Sequence, residues 1–240
     1  MRKTHRYLGV FIGIQILFWC ASGIYFAWYD IDEIRGSHLR RAPEIDLNFI
    51  PGSVIDIAVA LQSVRESVPG VQSINAIRLR KLLDEPVYEI SYSRQGQEYY
   101  QLVNARNGNL LDGVNEQMAI EIALADFAAD AQVLEVILLE HADAHAEYRG
   151  RDLPVYRVSM DHESKTNIYV SRQRGVVSAR RNQGWRVFDF LWMLHTMDFD
   201  SRDNFNNVLL KIFSVLALLT VIGGFVLWFL SSRFYNKHST

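Results

Sequence analysis

Two histidines adjoin long apolar segments and are the strongest candidates for chemistry in this sequence. His5 precedes an uncharged run that begins at Tyr7, and His195 lies in the segment WMLHTMDF at 192–199. A neutral imidazole nitrogen is a frequent ligand of transition-metal ions, so a histidine entering apolar surroundings is a candidate metal ligand. The structural alternatives are a polar cap in the head-group region for His5 and a ring bonded to a backbone carbonyl for His195.

A third group of candidate ligands lies in the segment LLEHADAHAEYRG at 138–150. His141, Asp143 and His145 alternate, and alternating residues of an extended strand point to one side. Imidazole and carboxylate groups on one side suit a divalent metal ion. The alternative is a solvated loop, because the segment is acidic and rich in alanine.

The sequence lacks the motifs of several enzyme classes. It contains no H-E-x-x-H, C-x-x-C, phosphate-loop or dinucleotide-binding motif. Its single cysteine, Cys20, lies in the first apolar run, so no intrachain disulfide can form. These observations argue against an autonomous hydrolase and against a nicotinamide-dependent enzyme.

Two apolar segments are long enough to cross a bilayer. The runs 7–29 and 212–232 contain no charged residue. Because a helix needs about 20 residues to span the hydrocarbon, we predict transmembrane helices over 7–29 and 208–232. A cleaved signal peptide is the alternative for the first run, but that run ends in IYFAWYD, which is bulky and aromatic where a cleavage site needs small residues.

The distribution of charge predicts the orientation in the membrane. Basic residues occupy the two terminal segments, 1–6 and 233–240, whereas all 27 acidic residues lie between Asp30 and Asp203. By the positive-inside rule both termini are cytoplasmic, which places residues 30–207 in the periplasm of a bacterial inner-membrane protein. This middle segment carries 19 basic and 27 acidic side chains, a net charge of −8, and is not expected to bind nucleic acid.

The segment between the apolar runs contains an internal repeat. PVYEISYSRQGQEYYQLVNARNGNLL at 86–111 aligns with PVYRVSMDHESKTNIYVSRQRGVVSA at 154–179. Apolar residues alternate in each copy, and a glycine turn follows at Gly108 and at Gly175, which predicts antiparallel hairpins with one buried face. Apolar residues at helical spacing precede each copy. We therefore predict a helix and an antiparallel meander twice, over 51–113 and 114–181, after a linker at 30–50.

An amphipathic helix is predicted between the repeat and the second apolar run. The apolar residues at 188, 191, 192 and 199 share one helical face with His195, whereas Asp189 lies off that face. Because tryptophan and phenylalanine favour the membrane surface, we predict an interfacial helix over 185–199.

Glycines mark faces on which the membrane helices can pack closely. Gly9, Gly13 and Gly23 share one face of the first helix with His5, and the pair at 223–224 (Gly223 and Gly224) lies in the second helix. The spacing of four between Gly9 and Gly13 allows a second helix to approach closely. The same narrow face could accommodate the flat ring of a porphyrin, with His5 on its iron.

The chain resembles the PepSY-associated transmembrane proteins. The resemblance rests on the doubled unit of helix and meander, which is similar to the PepSY domain, on HRYLG at 5–9 and on WMLHTMDF at 192–199. It implies an α+β membrane protein in which two transmembrane helices flank a periplasmic tandem PepSY-like repeat. Some members of that family are four-helix, haem-containing reductases of ferric siderophores, and this chain departs from them in having two helices.

The resemblance implies a haem b protein, or a subunit of a haem-dependent ferric reductase, with His5 and His195 as haem ligands. Its electrons would pass to a periplasmic acceptor such as a ferric siderophore. At a rise of 1.5 Å per residue, His5 lies about 36 Å from the outer end of the first helix, so the two histidines cannot share one iron. Two helices enclose too little surface for a porphyrin, so a homodimer or a larger membrane complex is expected.

A binding module without a cofactor is the competing hypothesis. PepSY domains are associated with inhibition or regulation of proteases, so the doubled unit could restrain a periplasmic peptidase or assist assembly of a membrane complex. Exposed hairpin edges would then pair with strands of the partner. In that case His5 and His195 have structural roles.

Overall fold

The computed structural model describes residues 2–42 and 53–231, with side chains from residue 6 onward. These residues form two compact units. The helical unit comprises the described residues up to Ile34 and from Gly184 onward, and the sheet unit comprises Arg35–Gln183. The predicted segment 233–240 and residues 43–50 of the predicted linker at 30–50 lie outside the described residues.

Along the chain, three α-helices precede the first four strands, one helix separates these from the next four strands, and two helices follow. The helices are α1 (Arg2–Trp28), α2 (Ile31–Arg35), α3 (Ile57–Ser67), α4 (Glu116–Asp126), α5 (Gln183–Thr196) and α6 (Val208–Ser231). The strands are β1 (Ser73–Leu82), β2 (Glu85–Arg94), β3 (Gln97–Asn104), β4 (Leu110–Leu111), β5 (Gln132–Leu139), β6 (Val155–Asp161), β7 (Asn167–Ser171) and β8 (Val177–Arg181).

Helices α1 and α6 carry the two apolar runs. Arg6–Trp28 and Val208–Ser231 are long and apolar enough to cross a membrane. Most of their large side chains are exposed, as expected for surfaces that face lipid rather than a soluble core. The predicted helix over 185–199 corresponds to α5, which begins two residues earlier and ends three residues earlier.

The sheet unit contains two four-stranded antiparallel meanders, in the orders β1-β2-β3-β4 and β5-β6-β7-β8. A capped helix precedes each sheet: the Asp56 carboxylate accepts the Ala58 N–H before α3, and the Asn115 side chain accepts the Met118 N–H before α4. The predicted mixed fold, with two apolar terminal helices and two antiparallel sheets, is confirmed.

Strand β2 of the first sheet is buried on both faces, which the alternating sequence pattern did not predict. Every residue of β2 from Pro86 to Tyr92 is buried. Tyr88 and Ile90 pack with α3, whereas Val87 and Leu102 share a core with α4 and the second sheet. The prediction of one buried face is therefore wrong for β2, because the second half of the repeat covers the face that an isolated sheet would expose to water.

The outer face of the second sheet is covered by the connection between β5 and β6, residues 140–154. Tyr148 of this connection is buried and stacks on Tyr169, with ring centroids 4.5 Å apart. The Tyr169 hydroxyl donates a hydrogen bond of 2.6 Å to Glu147. This connection is longer than the β1–β2 turn because it has a face of the sheet to bury.

Gly175, in the turn between β7 and β8, is predicted to be intolerant of a side chain. Its φ is +60°, and a Cβ there would lie 2.5 Å from Leu82 and 2.7 Å from Val114. Left-handed strain and overpacking together should make Gly175→Ala cost about 2–3 kcal/mol in the free energy of unfolding, measured by urea titration. Gly96→Ala is the matched control, because Gly96 has φ +78° with no atom within 4 Å of its Cβ position; equal losses in both variants would contradict the packing argument.

Candidate functional site

Helices α1 and α5 lie side by side and run in opposite directions. The Tyr25 hydroxyl donates to the Gly184 carbonyl at 3.1 Å, and ten residues earlier in α1 the Gln15 amide donates to the Leu194 carbonyl at 2.9 Å. The two contacts are ten residues apart in both helices, so the helices remain in contact along this length. This packing brings His195 against α1.

The carboxyl end of α5 is capped by side chains. The last carbonyls of a helix have no partner within the helix, and leaving them unbonded in apolar surroundings is costly. Here Gln15 donates to the Leu194 carbonyl, the Trp19 indole donates to the His195 carbonyl at 2.8 Å, and Asn207 donates to the Thr196 carbonyl at 2.9 Å. The end of α5 can therefore lie in an apolar environment with these carbonyls satisfied.

The His195 ring is held by a polar contact inside an aromatic cluster. Its Nδ1 lies 2.7 Å from the Ser22 hydroxyl oxygen. Trp192 stacks parallel to it at 6.4 Å between centroids, and the Phe26 ring lies 5.7 Å away. Burial lowers the pKa of His195 below its ordinary value, which favours the neutral imidazole that metal ligation requires.

The loop from α5 to α6 is fixed by its own hydrogen bonds. The buried Asp198 carboxylate accepts backbone N–H groups from Asp200, Ser201 and Asn204. Asp189 forms an ion pair with Arg202 of the same loop and is buried. Asp189 lies off the apolar face, as predicted, but it faces this loop rather than water.

His5 lies in α1 at a level well separated from His195. Its backbone belongs to the helix, and its side chain lies outside the described part of the structure. Position 5 and Ser22, which contacts His195, are about 26 Å apart along α1. The two histidines are therefore at separate levels, too far apart to ligate one iron within the chain.

The glycine face of α1 has no neighbour within the described residues. A Cβ at Gly9, Gly13 or Gly23 would meet no atom of these residues within 4 Å. The face of α1 that packs within the chain is a different one, with Ile12, Gln15 and Ser22 buried. The predicted packing role of the glycines, including the pair at 223–224 in α6, stays a prediction.

The segment with His141, Asp143 and His145 does not form the strand on which the metal prediction depended. β5 ends at Leu139, and the three residues lie in the connection that follows. Among the described residues, no group of three or more histidine, cysteine, aspartate or glutamate side chains is arranged to hold a metal ion. The structure therefore does not bring these three side chains together.

Sequence reasoning identified His195 but missed its partners in α1. Gln15, Trp19 and Ser22 recur at helical spacing and form the polar part of the packed face. Polar groups in a membrane helix are costly unless they are bonded, and this cost is the signal that could have marked them.

The surroundings of His195 would suit a histidine that ligates haem iron. The imidazole has one nitrogen bonded to Ser22, and Nε2 takes no hydrogen bond from the residues that the structure describes. The aromatic rings of Phe26 and Trp192 provide flat apolar surfaces beside it. A ligating histidine commonly has this arrangement, with the second ring nitrogen held by a hydrogen bond.

One protein family matches nearly the whole chain. The sequence model of the family described as PepSY-associated TM region matches residues 2–239. Comparisons with the curated proteins and with the solved structures give no significant match. The family match includes α1, both sheets, α5 and α6.

Proposed function

The chain belongs to the PepSY-associated TM family and is a membrane protein, and from this premise we propose that it is a haem b-binding electron-transfer protein or subunit. Bound haem would supply one-electron redox chemistry. The single observation that carries the proposal is the setting of His195, whose Nδ1 lies 2.7 Å from the Ser22 hydroxyl while Nε2 has no hydrogen bond within the described residues. His5 is the proposed ligand of a second haem at the cytoplasmic end of α1.

Each proposed haem needs groups from outside this chain. His5 in α1 is about 26 Å along that helix from Ser22, which contacts His195 of α5. Each iron would therefore need a further ligand from another chain or from water. The open glycine face of α1 supports assembly into a homodimer or a larger complex, because it leaves room for a second helix or a porphyrin. The exposed apolar surfaces of α1 and α6 contact the lipid bilayer.

The sheet unit is proposed as the platform for the electron acceptor. In the inner membrane, with both termini cytoplasmic, this unit would lie in the periplasm. Electrons would then pass outward to a periplasmic protein or an iron complex such as a ferric siderophore.

The absorbance spectrum of the detergent-purified full chain, produced with an adequate supply of haem, tests the proposal. We expect a Soret band and an α band that appears on reduction with dithionite, because a histidine-ligated b-type haem gives both. A preparation with neither band would refute haem binding.

An exposed edge strand favours the second candidate, a binding module without a cofactor. β5 is one of the two edge strands of the second sheet, and its Leu134 side chain is 71 % exposed. An edge strand with an exposed apolar side chain can accept a strand from a partner. A colourless protein that still captures a periplasmic partner, with capture lost in Leu134→Lys, would support this candidate over the first.

A further inference from the structure

The Ser22 hydroxyl makes two contacts at the packing of α1 and α5. It lies 3.0 Å from the Trp19 carbonyl oxygen and 2.7 Å from His195 Nδ1. Ser22 is fully buried. Neither contact can therefore be replaced by a bond to bulk water, and an unmade hydrogen bond here would cost about 1–3 kcal/mol.

Counting hydrogens decides the direction of both bonds. A serine hydroxyl has one hydrogen to donate, and the Trp19 carbonyl can only accept. Both contacts are hydrogen bonds at the same time only when Ser22 donates to Trp19 and the imidazole donates from Nδ1 to Ser22. If Ser22 donated to Nδ1 instead, its contact with the Trp19 carbonyl would have no hydrogen.

The backbone of His195 is held by the same part of α1. Trp19, three residues before Ser22, donates its indole N–H to the His195 carbonyl at 2.8 Å. One turn of α1 therefore fixes the main chain through Trp19 and the ring through Ser22. The ring can neither flip nor exchange its tautomer without losing a buried hydrogen bond.

We infer that Ser22 is a positioning residue that holds the proton on His195 Nδ1 and thereby leaves the Nε2 lone pair free to ligate iron. The purpose of this arrangement rests on the proposed haem function, but the tautomer itself does not. A second ring nitrogen that donates a hydrogen bond orients a ligating histidine and raises its basicity. Loss of such a partner commonly lowers metal affinity about 10–100-fold.

The tautomer is measured first, on haem-free full chain in detergent. ¹⁵N NMR of histidine-labelled protein distinguishes the two neutral tautomers, and the His195 signals are those missing from His195→Ala. We expect the Nδ1–H tautomer in the natural sequence and a mixture in Ser22→Ala. An Nε2–H tautomer in the natural sequence overturns the inference, whether or not the protein binds haem.

Titration of the full chain with ferric haem b tests whether the hydrogen bond between Ser22 and His195 strengthens haem binding. Ser22→Ala should raise the dissociation constant at least about tenfold, whereas Ser22→Thr keeps a hydroxyl and should retain most of the affinity. Ser231→Ala is the matched control, because Ser231 also donates to the carbonyl three residues earlier, at 3.2 Å from Trp228, but has no hydrogen bond to a histidine within the described residues.

Failure of the proposed haem function and failure of the proposed role of Ser22 give different results. If the natural sequence binds no haem, the proposed function fails while the tautomer measurement still decides the role of Ser22 at the ring. If haem binds and Ser22→Ala binds it equally well, the proposed function stands and the positioning role is overturned.

Discussion

His195→Ala is expected to abolish haem binding at the site where α5 packs against α1. Loss of the proposed ligating nitrogen should weaken haem binding by more than the roughly 10–100-fold that loss of a hydrogen-bonded partner of a ligand costs. Titration of the detergent-solubilised full chain with ferric haem b, followed at the Soret band, measures the change. A b-type band that survives in His195→Ala should disappear in the double variant with His5→Ala, because His5 is the other proposed ligand.

A matched histidine lies in the sheet unit. His162 also has its Nδ1 beside a serine hydroxyl, at 2.8 Å from Ser164, but it lies outside the helical unit. His162→Ala should leave the haem titration unchanged. If it lowers haem content as much as His195→Ala, the effect comes from general damage to the protein rather than from loss of a ligand.

Glu89→Gln is expected to destabilise the sheet unit by about 3–5 kcal/mol, the cost of removing one partner of a buried ion pair. The Glu89 carboxylate is 5 % exposed and pairs with Arg80 of β1 at 3.0 Å and with Arg174, between β7 and β8, at 2.8 Å. It therefore joins the two halves of the sheet unit. Glutamine keeps the shape but leaves Arg80, which is largely buried, without its countercharge.

Urea unfolding of the full chain in detergent, followed by far-ultraviolet circular dichroism, measures the loss. All five tryptophans lie outside the sheet unit, so their fluorescence reports the helical unit separately and should not change. Glu135→Gln is the matched control, because Glu135 pairs with Arg157 at 2.9 Å but is 53 % exposed. An exposed ion pair contributes less than about 1 kcal/mol to the free energy of unfolding. Equal losses of stability in the two variants would therefore refute the proposed contribution of the buried Glu89 ion pairs.

The Glu89 carboxylate should also make the free energy of unfolding of the sheet unit depend on pH. Burial alone would raise the pKa of Glu89, but hydrogen bonds from Arg174 and Arg80 outweigh burial and lower it below the ordinary value of 4.5. The contribution of Glu89 to the free energy of unfolding is therefore fully present above its unfolded-state pKa, and it is lost as the pH falls through its lower folded-state pKa. The stability difference between the natural sequence and Glu89→Gln should shrink below about pH 4.5; a constant difference would contradict this assignment.

The sequence predicts this fold well where the signal is local. The two apolar runs predicted α1 and α6 by length alone, and the strand alternation with glycine turns predicted the two antiparallel meanders. Burial of β2 on both faces was not predictable in this way. Its alternating pattern is also that of a sheet with one wet face, and only the docking of the second half of the repeat distinguishes the two.

In the candidate site, too, the sequence identified one part and missed another. Its histidine could be identified because a titratable ring in an apolar helix is unusual, and family resemblance supplied its proposed role. The partners of this histidine could not be identified from the sequence, because nothing near Ser22 and Trp19 in the chain marks them. They acquire their role only when the end of α5, more than 170 residues later, packs against them.

Composition and periodicity by themselves determined that this chain has two apolar helices around a doubled helix-and-sheet unit, because burial and hydrogen-bond periodicity act between near neighbours in sequence. Only the tertiary structure decided which polar groups meet. Ser22 bonds to His195, and Glu89 bonds to Arg174, through contacts that join distant segments. Each such bond depends on the position and direction of both groups to within a few tenths of an ångström, and no pattern along the chain encodes that.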